Sequence, residues 1–289
     1  MIDILSKYDF SLNQEDLDKR LSSIQNNLDH WMTSENSIKC LGIMDLTTLN
    51  STDTIDKVTQ LTNKVNSFNV KYPNYPTPAS ICVYPNLGKA VKDNIKVDNV
   101  NVIVVAGGFP TSQSFLDVKI AECKEAVKQG ADEVDIVLAL NKFLVGDYDA
   151  SAEEIREIKK SIGKKTLKVI LETGALKCAE NIAIASFIAM ENGADFIKTS
   201  TGKLEPAATP MAALIMCDAI KAFYKKTGKR IGFKPAGGMV VPKDAICYLA
   251  IVDTILGKEW LNSTLFRLGA SRLANNLLSE LEESTVSYY

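Results

Sequence analysis

The chain has 289 residues, 46% hydrophobic and 24% charged, a globular balance that excludes a disordered or collagen-like protein. Lys and Arg number 33 against 35 Asp and Glu, so no positive excess exists to draw a nucleic acid, and any cationic site is local. Six scattered cysteines without a CxxC and a single histidine, His30, argue against a zinc site and point to reduced thiols.

The N-terminal stretch, MIDILSKYDFSLNQEDLDKR, lacks the apolar run of a secretory signal, and no apolar segment approaches membrane-spanning length. A soluble cytoplasmic protein with no membrane partner is expected. Ser11-x-x-Gln14 has capping-box form, and Leu17, Leu21, Ile24, Leu28 and Trp31 recur at helical steps. Residues 1–37 are therefore expected to form a helical extension packed on the outside of a main domain at 38–289, or alternatively to serve a homodimer contact. His30 is expected at the surface.

From there one unit repeats: a short β-branched run, a turn, then a stretch with helical spacing. Strands are predicted at Lys39–Leu46, Ile81–Tyr84, Asn101–Ala106, Glu133–Leu140, Leu167–Glu172, Phe196–Ser200, Arg230–Lys234 and Phe266–Gly269. Thr209-Pro210 reads as an N-cap with proline at the first helical position, opening Met211–Tyr224 before Gly228, and Pro242 opens another helix. Gly130 and Gly193, each followed by Ala-Asp and a strand, read as helix-ending glycines. Eight strands alternating with helices predict an α/β protein with a (β/α)8 TIM barrel and an N-terminal helical extension. The alternative, a doubly wound sheet, would want a GxGxxG turn after an early strand, and none is present.

Strand alternation then places side chains. Val134, Ile136 and Leu138 face the helices, which turns Asp135 into the lumen; Lys198 shares the inner face with Phe196 and Ser200, Lys234 with Gly232, and Lys168 with Glu172. Cys82 also points inward, as a buried apolar cysteine. Barrel lumens are ordinarily filled by Val, Ile and Leu, and buried unpaired charge is costly. An ion-pair network serving stability would account for one lysine–carboxylate pair. Two lysines on neighbouring strands are like charges, which stability alone does not want close. They have a chemical use: a second cation and desolvation lower an amine's pKa from about 10.4 and expose its lone pair. A neutral lysine condenses with a carbonyl to an iminium, an electron sink needing no metal or cofactor.

Thr201-Gly202-Lys203, Gly237-Gly238 and Gly269-Ala270-Ser271 follow strands six, seven and eight, where bare N–H groups often bind phosphate in this fold. At this point the chain resembles deoxyribose-phosphate aldolase, a class I Schiff-base aldolase. The resemblance is carried by Ile43-Met-Asp-Leu-Thr-Thr-Leu-Asn50, Ala79-Ser-Ile-Cys-Val-Tyr-Pro85, Gly130-Ala-Asp-Glu-Val-Asp135 and Leu167-Lys-Val-Ile-Leu-Glu-Thr-Gly174. The most specific segments are Gly193-Ala-Asp-Phe-Ile-Lys-Thr-Ser-Thr-Gly-Lys203 and Gly232-Phe-Lys-Pro-Ala-Gly-Gly238, and the match runs in family order from about Cys40.

The resemblance implies a lyase of deoxyribonucleotide catabolism that reversibly cleaves 2-deoxy-D-ribose 5-phosphate to D-glyceraldehyde 3-phosphate and acetaldehyde. It implies no metal or organic cofactor. Lys198 is the implied imine-forming residue, Lys234 its neighbouring cation, and Asp135, with a water, the acid/base. Gly202, Lys203, Gly237, Gly238 and Ser271 match phosphate-holding positions, and Thr47 matches a pocket threonine. Tyr289, in the closing Ser287-Tyr288-Tyr289, matches a tyrosine that folds back to assist proton transfer. Arg272 departs from the pattern, standing where a second serine is common. Two other readings of the same barrel are a metal-independent phosphosugar isomerase, which would have no reason to oppose two lysines, and a non-catalytic metabolite binder.

Overall fold

The computed structural model describes residues 4–289. Eight parallel strands form the centre: β1 (Met44–Thr47), β2 (Ser80–Val83), β3 (Asn101–Val105), β4 (Glu133–Val137), β5 (Thr166–Ile170), β6 (Phe196–Lys198), β7 (Gly232–Lys234) and β8 (Leu268–Ala270). Each pairs with its sequence neighbour, and β8 returns to pair with β1. Between β7 and β8 the circle is joined by two isolated bridges, Phe233 to Phe266 and Ala236 to Gly269, instead of a full ladder. This is the expected TIM barrel.

Thirteen α-helices lie among the described residues. They are α1 (Ile4–Lys7), α2 (Gln14–Asn26), α3 (Ser34–Gly42), α4 (Ile55–Lys71), α5 (Gly88–Asn94), α6 (Leu116–Lys128), α7 (Leu140–Phe143) and α8 (Tyr148–Ile162), followed by α9 (Thr173–Leu176), α10 (Ala179–Glu191), α11 (Pro210–Thr227), α12 (Pro242–Leu256) and α13 (Arg272–Leu281). The caps follow the local chemistry. Thr209 accepts from the Ala212 N–H and Pro210 occupies the first turn of α11, which ends on Gly228 at φ 72°. Gly130 and Gly193 turn the chain at φ 104° and 105° from α6 and α10 into the next strands. α12 opens at Pro242 as expected and runs on to Leu256.

Two local expectations are corrected. Lys39–Gly42 belongs to α3 and not to the first strand: Thr33 caps that helix by accepting from the Asn36 N–H, and Cys40 and Leu41 are its buried face. A short apolar run does not distinguish strand from buried helix. The cap of α2 is Asn13, which accepts from the Asp16 N–H, in place of a Ser11 capping box. The helical stripe itself is buried against the chain's own barrel: Leu17, Ile24 and Leu28 are covered, with α2 lying on α11 and α12. Arg20 forks onto Asp218 at 2.9 and 2.6 Å, and the Trp31 Nε1–H reaches Asp253 at 3.2 Å. His30 is exposed.

Side-chain parity divides the core in two. Val134, Ile136, Leu138, Val169, Leu171, Ile197 and Phe233 join the large cluster between sheet and helices. Cys82 packs with Leu49, Ile103 and Val105 in a small apolar group on the inner face. The same face also carries the charged residues Asp45, Glu133, Asp135, Lys168, Lys198, Lys234 and Arg267, all buried. The described cysteines are all unbridged, and no described helix is long and apolar enough to cross a membrane.

Candidate active site

The lumen holds one contiguous ion-pair network. Asp135 is fully buried, and its Oδ2 accepts from both Lys198 Nζ (2.9 Å) and Lys234 Nζ (2.8 Å), so the two amines are close neighbours. Lys234 also lies 2.6 Å from Asp45 Oδ2, and Lys168 contacts Asp135 Oδ1 at 3.2 Å and pairs with Glu133. Arg267 closes the ring, donating to Asp45 at 2.6 Å and to Glu133 at 2.9 Å. Register explains the grouping: Asp135 stands beside Lys168 on β5, and Lys198 on β6 beside Lys234 on β7. Gly232 leaves room for the Phe196 ring, which a Cβ would strike, and that ring faces both Lys168 and Arg267.

In this network Lys168, Lys198, Lys234 and Arg267 meet only three carboxylates: Asp45, Glu133 and Asp135. Full ionisation would leave a surplus positive charge in a dry interior, and Lys198 is the lysine of this network whose pKa is lowered. Burial pushes its pKa down; the attraction of Asp135 opposes this, and the repulsion of Lys234 adds to the fall. Lys234 goes the other way, raised because Asp135 and Asp45 together outweigh its desolvation. Asp135 is held well below the usual carboxylate range, since Lys168, Lys198 and Lys234 overcome the effect of burial.

Above the network opens a cavity of about 510 Å³. Lys198, Thr47, Gly202, Lys203, Gly237, Ser271 and Tyr289 all line it, and so does Arg272. Asp135 and Lys234 do not reach its wall and touch it through Lys198. Gly238 is separated from this group: it lines a neighbouring cavity with Pro210 and Cys247, because Gly237 and Gly238, both at positive φ, turn the chain toward α12. The wall carries Lys57, Lys64, Lys198, Lys203 and Arg272, and no acidic residue. Of these cations Lys57 pairs with Asp53 and Lys203 donates to the Leu49 carbonyl at 2.5 Å.

The two glycine loops come into contact here. A Cβ on Gly237 would stand 3.0 Å from the Gly202 Cα, so larger residues would force the loops apart. Glu172 supports this arrangement from outside the strand. β5 stops at Ile170, and Glu172 adopts a left-handed conformation at φ 54°. Its carboxylate accepts from the Thr201 N–H at 3.1 Å and the Thr201 hydroxyl at 2.6 Å. Glu172, expected on the same face as Lys168, therefore pairs with Thr201, while Lys168 pairs with Glu133 and Asp135: past the strand end, alternation no longer sets direction.

The DeoC/LacD family aldolase profile matches residues 39–251, spanning β1 to α12. The chain belongs to this aldolase family. It is 39% identical over 270 residues to the human deoxyribose-phosphate aldolase, covering 87% of this chain and 82% of that one. It is 42% identical over 245 residues to a provisionally named deoxyribose-phosphate aldolase of Caenorhabditis elegans, covering 84% and 80%. Among solved structures it resembles that of a provisionally named deoxyribose-phosphate aldolase from Toxoplasma gondii ME49. There the TM-score is 0.73 at 25% identity, over 86% of this chain and 94% of the other. The protein is therefore an aldolase, a lyase.

Four members of this aldolase's network escaped sequence reasoning as site residues: Asp45, Glu133, Arg267 and Lys168, the last placed inward but given no role. A signal existed for each. Glu133 shares Asp135's parity, and Arg267 alternates with the outward Phe266 and Leu268. Arg267 binds two buried carboxylates at once, so Arg267→Met leaves both short of a partner. Breaking buried pairs of this kind costs about 3–5 kcal/mol, and the urea midpoint of the variant is expected to fall accordingly.

Proposed function

We propose that this aldolase reversibly cleaves 2-deoxy-D-ribose 5-phosphate to D-glyceraldehyde 3-phosphate and acetaldehyde through an imine on Lys198. The observation that carries the reading is the asymmetry of the two neighbouring lysines. Lys198 reaches the cavity with a lowered pKa, whereas Lys234 is sealed beneath it and firmly protonated. One amine is prepared as a nucleophile and the other as a fixed cation.

The neutral Lys198 amine adds to C1 of the open-chain aldehyde, and loss of water gives an iminium. Removal of the C3 hydroxyl proton, by Asp135 acting through a water, lets the C2–C3 bonding pair flow into the iminium. D-Glyceraldehyde 3-phosphate departs and an enamine remains. Protonation at C2, assisted by Tyr289, and hydrolysis release acetaldehyde and restore the amine. Thr47 lines the sugar's path. Gly202, Lys203, Gly237 and Ser271 hold the phosphate, with Gly238 shaping the turn behind them. No organic cofactor or metal enters this scheme, and the chain acts in the cytoplasm in the breakdown of deoxyribonucleotides. Within residues 4–37, α2 forms a buttress for α11 and α12, so a homodimer would use a face other than the covered Leu17–Leu28 stripe.

The test is borohydride reduction in the presence of substrate. A covalent adduct on Lys198 is expected, together with retro-aldol product in a coupled assay; product without any adduct would instead mark proton-transfer chemistry of the isomerase type. Arg272, on the cavity wall and without a carboxylate partner among the described residues, is assigned to the phosphate. Arg272→Ser is expected to raise KM for the phosphorylated sugar about tenfold, on the order of one charge-assisted hydrogen bond at a partly exposed site. Its kcat, and its rate on unphosphorylated deoxyribose, should stay within about twofold of the parent.

A further inference from the structure

The last two residues of the segment after α13 share one side-chain anchor. Asn275, on the first turn of α13, accepts the backbone N–H groups of both Tyr288 and Tyr289 on its Oδ1, each at 2.9 Å. Its Nδ2 donates to the Tyr289 carbonyl oxygen at 3.0 Å. One turn later Ser279 accepts from the Val286 N–H at 2.9 Å, so the segment runs back along the helix. Across from it, the Tyr288 hydroxyl donates to the Lys64 carbonyl of α4 at 2.6 Å, and the Tyr289 ring stacks on Phe68 with centroids 5.7 Å apart. These contacts put Tyr289 on the wall of the Lys198 cavity, where its hydroxyl is buried and has no hydrogen-bond partner.

An unpartnered buried hydroxyl is unfavourable and is retained only where the surroundings over-determine it or a ligand atom completes it. Here the surroundings are identifiable. Tyr288 spends its hydroxyl on the protein and Tyr289 does not, although the two are adjacent. We infer that Asn275 is a positioning residue: it clips the segment to α13 so that the Tyr289 hydroxyl is aimed at a carbonyl- or hydroxyl-bearing ligand in the cavity. Asn275 suits the task because a carboxamide offers an acceptor and a donor 120° apart, matching the N–H and C=O groups of one dipeptide. This inference rests on the proposed aldol reaction for its kinetic readout and on the geometry alone for its structural one.

The experiment compares the parent, Asn275→Leu, Tyr289→Phe and the double variant. The readouts are amide hydrogen exchange at Tyr288 and Tyr289 without substrate, deuterium exchange into the acetaldehyde methyl group, and borohydride labelling of Lys198. Asn275→Leu is expected to lose protection of the two amides and to slow methyl exchange about tenfold while still labelling at Lys198, with KM changed less than twofold. Tyr289→Phe should slow methyl exchange about tenfold in the parent background and less than twofold in the Asn275→Leu background, since the clip and the hydroxyl act in series. Retained amide protection, or lost protection with parental methyl exchange, overturns the clip. Additive effects in the double variant overturn it as well. If Asn275→Leu fails to label at Lys198, Asn275→Ser, too short to span both contacts, supplies the same comparison. A parent that exchanges no acetaldehyde proton overturns the proposed reaction, and is told apart by its intact amide protection.

Discussion

Lys198→Leu is expected to abolish turnover and to leave nothing for borohydride to trap. The argument is one of access and charge together. Lys168 and Lys234 are also buried amines, but both are fixed to carboxylates below the cavity, so neither can substitute as nucleophile. Lys198 alone among these three lines the cavity. The same residue sets a pH dependence whose sign follows from its shift. The reactive form is the neutral amine, so trapping rises as pH is raised through the pKa of Lys198. Because burial and Lys234 lower that pKa, the rise is complete at a pH below that at which an ordinary lysine, near about 10.4, would give it up. A rising limb at the ordinary lysine position, or full turnover in Lys198→Leu, would remove the imine from the mechanism. The leucine side chain is uncharged like the neutral amine it replaces, and Asp135 keeps Lys168 and Lys234, so the variant is expected to stay folded, with a urea midpoint near that of the parent.

Much of this site was legible before any coordinates, and for a single reason. A parallel barrel has period-two strands with a covered outer face, so an ionisable residue flanked by Val, Ile or Leu has only the lumen to occupy. That logic found Asp135, Lys168, Lys198 and Lys234. It did not reach Glu172, two residues beyond the end of β5, where the backbone turns left-handed and the carboxylate serves Thr201. It was also silent on pairing across the lumen. Arg267 meets Asp45, 222 positions away, and Glu133, 134 away, and no local pattern encodes which cation takes which acid. Lys39–Gly42 failed for a different reason, since four apolar-rich residues fit a strand or a buried helical turn equally well. The docking of Tyr289 on Asn275 depends on a side-chain-to-backbone match with no sequence signature.

Lys234→Leu is expected to lower kcat/KM at neutral pH by roughly 10²–10⁴-fold, the scale of losing a positioned acid–base group, but the loss should depend on pH. In the parent, Asp135 divides one oxygen between the two lysine nitrogens. Without Lys234 that oxygen serves Lys198 alone, and the nearest repelling charge is gone. Both changes favour protonated Lys198, so its pKa moves up. The count agrees, because three cations would then face three carboxylates and no group is forced to give up its proton. The rising limb of the pH profile therefore shifts to higher pH, and part of the lost rate returns as the medium is made alkaline. A loss of equal size at every pH would mean that Lys234 only relays protons and leaves the nucleophile untouched. A profile unchanged in both height and position would mean that burial by itself keeps Lys198 uncharged.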